Sequence, residues 1–153
     1  MSFLQLKIPP VVLVAIFALA MWLSSKTFFS LAVSIPYAAS FATVVLILGI
    51  IVAIAGVIAF RKAQTTVDPR TPEKSSSLVN TGIYKVTRNP MYLGFLLLLI
   101  AYAIYLSHIL AFGLAFIFVL YMNAFQIKPE EHMLATLFGE DYEMYCRSVR
   151  RWL

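Results

Sequence analysis

Between Tyr37 and Phe60 the chain runs for 24 residues without a charged side chain, and only Ser40 and Thr43 interrupt its apolar character. As an α-helix this run is roughly 36 Å long, more than the ~30 Å hydrocarbon core of a bilayer. Backbone in lipid has no water to bond, so a segment of this kind satisfies its own amides as a spanning helix. Two further runs repeat the pattern. Ile8 to Leu23, opened by Pro9-Pro10, is a first membrane helix that can extend through Ser24 and Ser25. Lys7 precedes it, but no small-x-small cleavage site leading into a soluble domain follows. Met91 to Ile127 is too long for one crossing, and the polar break at Ser107-His108 predicts a hairpin of helices over 90–106 and 108–127.

A composition of 61% hydrophobic and 12% charged residues in 153 lies well outside the ~45–50% and ~25% of soluble domains. The expected fold is an all-α integral membrane protein with about four transmembrane helices, the last two a tight hairpin. An amphipathic cytoplasmic helical segment over 128–153 follows. There Leu134, Leu137, Phe138, Tyr142, Tyr145 and Val149 recur at three- and four-residue steps, and Gly139 is a candidate break. The whole chain, 1–153, is expected to be a single domain. Gly49, Ala53 and Gly56 share one face of the second helix, a spacing that lets helices approach closely in lipid and can also serve a homodimer.

Charge sets the topology. Four spans put both termini and the polar 61–89 loop on one side, with eleven of the twelve Lys and Arg residues and all seven acidic ones; Lys26 alone faces the other side. The positive-inside rule makes the crowded side cytoplasmic. The net charge of +5 is thereby assigned to an anionic membrane surface rather than to nucleic acid. Within 61–89, Asp68-Pro69, Thr71-Pro72 and Ser75-Ser76-Ser77 mark a loop, and Phe28-Phe29 in the 24–36 connection suits an interface. The single cysteine, Cys146, excludes an internal disulfide and a cysteine-cluster metal site. No metal ligand set is read, and His108 at the hairpin turn is taken as interfacial.

The chemistry concentrates in two places. In Thr81-Gly82-Ile83-Tyr84-Lys85-Val86-Thr87-Arg88-Asn89-Pro90-Met91-Tyr92-Leu93-Gly94, Gly82 permits positive φ or close approach to a ligand. Asn89-Pro90 reads as a helix start, with Asn as N-cap and Pro at the first turn. Arg88, Tyr84 and Tyr92 are thereby grouped at a helix mouth suited to a polar or anionic group. The second place is Glu130-Glu131, directly after Pro129. Adjacent carboxylates on a helix point in different directions, and Arg88 leaves its loop at the same depth, so an Arg–Glu pair across the hairpin mouth is expected.

Together these stretches resemble the signatures of the isoprenylcysteine carboxyl methyltransferase and phospholipid methyltransferase group. The first is Thr81 to Tyr84 with Arg88 to Gly94. The second is Glu130-Glu131, Leu137 to Tyr142 and the basic tail from Tyr145 to Trp152. The resemblance covers about residues 78–153. It implies S-adenosyl-L-methionine bound between hairpin, preceding loop and C-terminal segment, with Tyr84, Arg88, Asn89, Pro90, Tyr92 and Gly94 as contacts. It also implies that Glu130 or Glu131 binds ribose hydroxyls or the amino group, while Tyr142 and Arg147 close a lid. Arg88 and Glu131 are the implied catalytic pair. Asn89 departs from the histidine common in eukaryotic members, which leaves hydrogen bonding but not imidazole proton transfer. The implied activity is methyl transfer to a lipophilic acceptor, an isoprenylcysteine-like carboxylate or a lipid amine, entering from the bilayer at the cytoplasmic face. Two alternatives share the scaffold: an NADPH-dependent enzyme similar to membrane sterol reductases, and a non-catalytic membrane scaffold.

Overall fold

The computed structural model describes residues 6–63 and 78–153. The charged residues Asp68, Arg70, Glu73 and Lys74, and the Pro and Ser turn signals around them, lie outside this range. All long elements are helices: α1 (Pro10–Thr27), α2 (Ala38–Lys62), α3 (Pro90–Leu106), α4 (Ile109–Tyr121), α5 (Lys128–Phe138) and α6 (Glu140–Ser148). α1, α2 and the continuous helix Ile109–Phe138 are long and apolar enough to cross a membrane, and α3 is a shorter apolar helix of 17 residues. The predicted hairpin is present, its turn formed by Ser107 in the left-handed conformation (φ 49°) and by His108.

α3 lies at the centre. One face meets α2, where small residues remove the side-chain layer between two backbones. A Cβ on Gly94 would sit 2.7 Å from the Cβ of Ala53 and 2.8 Å from the carbonyl of Gly49, and one on Gly56 2.9 Å from Met91 Cγ. The Gly49, Ala53, Gly56 stripe is therefore the α2–α3 contact. Gly94→Val has backbone to push against, and overpacking of this kind costs about 1–3 kcal/mol. The expected result is a lower unfolding midpoint in detergent; an unchanged midpoint would show that the two helices part freely. The other face of α3 packs with α1 and α4 around Leu13, Met21, Leu99, Ala103, Ala115 and Phe118.

The two ends of the bundle are tied differently. At the end holding Lys26, the His108 ring is buried, with Nε2 2.9 Å from the Phe28 carbonyl, and Val33 N–H donates to the Ser107 carbonyl at 2.8 Å. The hairpin turn is thus stitched to the α1–α2 connection, and His108 is an internal strut rather than a solvated interfacial residue.

At the opposite end the chain departs from expectation. Residues 128–138 are helical, as expected, but the fourth span does not stop at Ile127. α4 passes through one wide π-turn (Met122–Ile127) straight into α5. Pro129 has no N–H for the carbonyl four residues back, and inside a helix its ring crowds that carbonyl. That carbonyl belongs to Phe125, and it accepts the N–H of Leu6 at 3.1 Å instead. The break comes at Gly139, where φ is +50°. α5 and α6 then pack Leu134, Phe138, Tyr142, Tyr145 and Val149 over Ala59, Val79 and Tyr84. Leu137, counted in that face by its spacing, is exposed instead.

Candidate functional site

The site is assembled where three segments meet: the turn before α3, the α4–α5 junction, and the tail after α6. Gly82 (φ +60°) opens a single 3-10 turn, Gly82–Lys85. That turn drops the Tyr84 ring edge-on against Phe60, with centroids 5.3 Å apart, and offers the Tyr84 carbonyl to Tyr145 Oη at 2.7 Å. Burial pushes the phenols of Tyr84, Tyr142 and Tyr145 well above the usual tyrosine range, so all three remain neutral. Tyr145→Phe removes one neutral hydrogen bond and is expected to cost about 1 kcal/mol in thermal unfolding.

Residues 87–89 then pair with the tail. Arg88 N–H donates to the Arg150 carbonyl at 3.0 Å; Thr87 Oγ1 and Asn89 Nδ2 both donate to the Arg151 carbonyl, at 3.2 and 2.9 Å. Asn89 is the N-cap residue by position, but its side chain holds the tail rather than the helix amides. Trp152 Nε1 completes the strap by donating to Asn123 in the π-turn at 3.1 Å.

The Arg88 guanidinium joins all three segments. Nη1 donates to the carbonyls of Cys146 and Val149, at 3.0 and 2.7 Å, at the C-terminal end of α6, where a cation also meets the negative end of the helix dipole. Nη2 donates to Glu131 Oε1 at 2.8 Å. Glu131 takes a second guanidinium as well: Arg151 Nε at 3.0 Å on Oε1 and Nη2 at 2.5 Å on Oε2. These hydrogen bonds to Glu131 raise the Arg151 pKa further above its usual value. The side chains of Arg88, Glu131 and Arg151 are 13%, 19% and 32% exposed, which keeps the network largely away from solvent screening.

Glu130 has different company. Tyr92 Oη and Gln126 Nε2 both donate to its Oε1, and Gln126 also reaches Tyr92 Oη at 3.4 Å. Glu130 takes part in no ion pair among the described residues.

Arg88, Asn89, Tyr92, Glu130 and Glu131 are thus brought together, with Tyr84 and Tyr142 packed beneath the strap and Pro90 buried at the start of α3. Two expected members are elsewhere. Gly94 is sealed in the α2–α3 contact, where no ligand atom fits. Arg147 points to solvent on α6 and pairs loosely with Glu143, 3.7 Å away. Arg151 takes the inward position, because the chain turns back at Val149 (φ −129°, ψ 134°) after α6 ends. Gln126 was also missed. Two carboxamides, Asn123 and Gln126, near the end of an apolar run were the available signal, since polar groups there need a reason.

Arg88 and Glu131 touch directly rather than facing each other across a gap. An open cavity of about 850 Å³ lies between residues 78–85 and α6, walled by Asn80, Lys85, Asp141, Tyr145, Ser148 and Val149, and none of Arg88, Glu130 and Glu131 is in its lining. Its volume lies within the range of small-molecule sites, about 300–1,000 Å³.

Comparison with known proteins places the chain in a family. A 63-residue stretch is 46% identical to the whole of an uncharacterised protein from Haemophilus influenzae, covering 41% of this chain. Over 140 residues, 87% of this chain and 71% of theirs, it is 29% identical to protein-S-isoprenylcysteine O-methyltransferases A and B of Arabidopsis thaliana. No solved structure matches. The sequence profile described as phospholipid methyltransferase matches residues 37–141, a span that takes in both packed glycines of α2, the Arg88 turn and the carboxylate pair, and the chain belongs to that family of methyltransferases.

Proposed function

We propose that the protein transfers a methyl group from S-adenosyl-L-methionine to a lipophilic acceptor that enters from the bilayer, at the cytoplasmic face. The observation that carries this reading is the meeting of the two motif halves, Arg88 with Glu131 and Tyr92 with Glu130, at one end of the bundle. What supports such a donor is that Glu130 takes part in no ion pair among the described residues, which suits a cationic ligand. Bound there, S-adenosylmethionine supplies an already activated methyl group, so the protein's task is alignment and exclusion of water.

The division of labour follows from the contacts. Glu131, occupied by two guanidiniums, holds the strap and the turn before α3 in place. It is a keystone of the site rather than a free base, and Arg88 acts with it. Glu130, held by neutral donors rather than by a cation, is the carboxylate assigned to the ligand. Asn89, Tyr84 and Tyr142 support the walls. The cytoplasmic assignment is supported by charge, since Arg61, Lys62, Lys85, Lys128, Arg150 and Arg151 lie at the site end and Lys26 at the other. Titration calorimetry of the purified protein with S-adenosylhomocysteine tests the cofactor. Binding in detergent or lipid is expected, and absence of binding in both would overturn the reading.

A further inference from the structure

The two adjacent glutamates are neutralised unequally, and the cause is a residue outside both motifs. Glu131 has two cations. Glu130 has a phenol and a carboxamide, and it pairs with no cation among the described residues. Gln126 is 2% exposed, sits one turn before Glu130 at the end of the π-turn, and bridges Glu130 to Tyr92. The four-residue spacing sets both side chains on the same side of the helix.

We propose that Gln126 is a positioning residue that makes Glu130 a subsite for a cationic centre of the methyl donor. This rests on the proposed use of S-adenosylmethionine. Ionising a partly buried carboxyl group held by neutral donors alone is costly, and a positively charged ligand offsets that cost. A neutral amide can fix the plane of the carboxylate without cancelling its charge, whereas a lysine or arginine at 126 would cancel it. The choice of amide therefore decides whether Glu130 is available to ligand.

The test compares three nucleosides against wild type, Gln126→Lys and Gln126→Met. S-adenosylmethionine carries two cationic centres, a sulfonium and an ammonium, S-adenosylhomocysteine the ammonium alone, each beside an α-carboxylate, and 5′-methylthioadenosine carries none of these charges. Hydrogen bonds to charged groups set the scale at about tenfold or more. Gln126→Lys is expected to weaken S-adenosylmethionine by that factor, with or without S-adenosylhomocysteine, and to leave methylthioadenosine within about twofold. Gln126→Met, which keeps the volume but loses the donor, is expected to shift in the same direction by less. An equal loss for all three nucleosides would mean a merely structural role and overturn the proposal, as would no loss in either variant. Failure of wild type to bind any of the three would instead count against the cofactor itself.

Discussion

Glu131→Gln is expected to lower methyl transfer at least about a hundredfold and to destabilise the strap, while Glu140→Gln changes neither. The reason is the company each residue keeps. Glu131 is the only carboxylate on which Arg88 and Arg151 converge among the described residues, and a neutral amide would leave two guanidiniums facing each other in a partly buried space. Removing one partner of a fully buried pair costs about 3–5 kcal/mol, and the modest exposure here places the expected loss near the lower end. Two units of pK-scale energy, about 2.7 kcal/mol, correspond to that hundredfold. Glu140 is exposed at the first residue of α6 and does not touch the network. Thermal unfolding and labelled-methyl transfer measured on both variants would check this; equal behaviour of the two would remove Glu131 from the site.

Arg88→Lys carries the second large effect. The planar guanidinium reaches the Cys146 and Val149 carbonyls with one nitrogen and Glu131 with the other. An ammonium is a point donor on a different stem and cannot span those directions together. With hydrogen bonds to charged groups at about 1.5–3 kcal/mol each, losing one or two releases the end of α6 and the strap. Faster proteolysis after residue 148 is the expected result, alongside loss of S-adenosylhomocysteine binding. A lysine variant that is as protease-resistant and as tight-binding as wild type would show that charge alone is needed there.

Much of this was legible in the residues. The spans followed from runs such as Tyr37 to Phe60, because lipid leaves the backbone only one solution. The close contact between α2 and α3 was written in Gly49, Ala53 and Gly56. A pair between Arg88 and one of the two glutamates followed from depth, since Arg88 stands just before a span and the glutamates just after the next; that the partner is Glu131 did not. What the sequence concealed was register beyond regular structure. Pro129 looks like a helix boundary, yet the helix continues, because a π-turn and the Leu6 amide absorb its two costs. Periodicity ends with α6, so nothing in the pattern told Arg147 from Arg151. That difference depends on where the strap turns back, which the carbonyls facing Thr87, Arg88 and Asn89 decide. Gly94 sat inside a functional motif but serves packing, a reminder that a glycine's neighbours in sequence do not reveal what its missing side chain makes room for.

The most direct test is transfer of an isotopically labelled methyl group from S-adenosylmethionine in proteoliposomes, with wild type, Arg88→Lys and Glu131→Gln compared side by side. Label appearing in the lipid-extractable fraction with wild type, and falling to background with both variants, is the predicted result. Undiminished labelling by the variants, or none by a wild-type protein that is folded and inserted, would contradict a methyl-transfer site built on that ion pair.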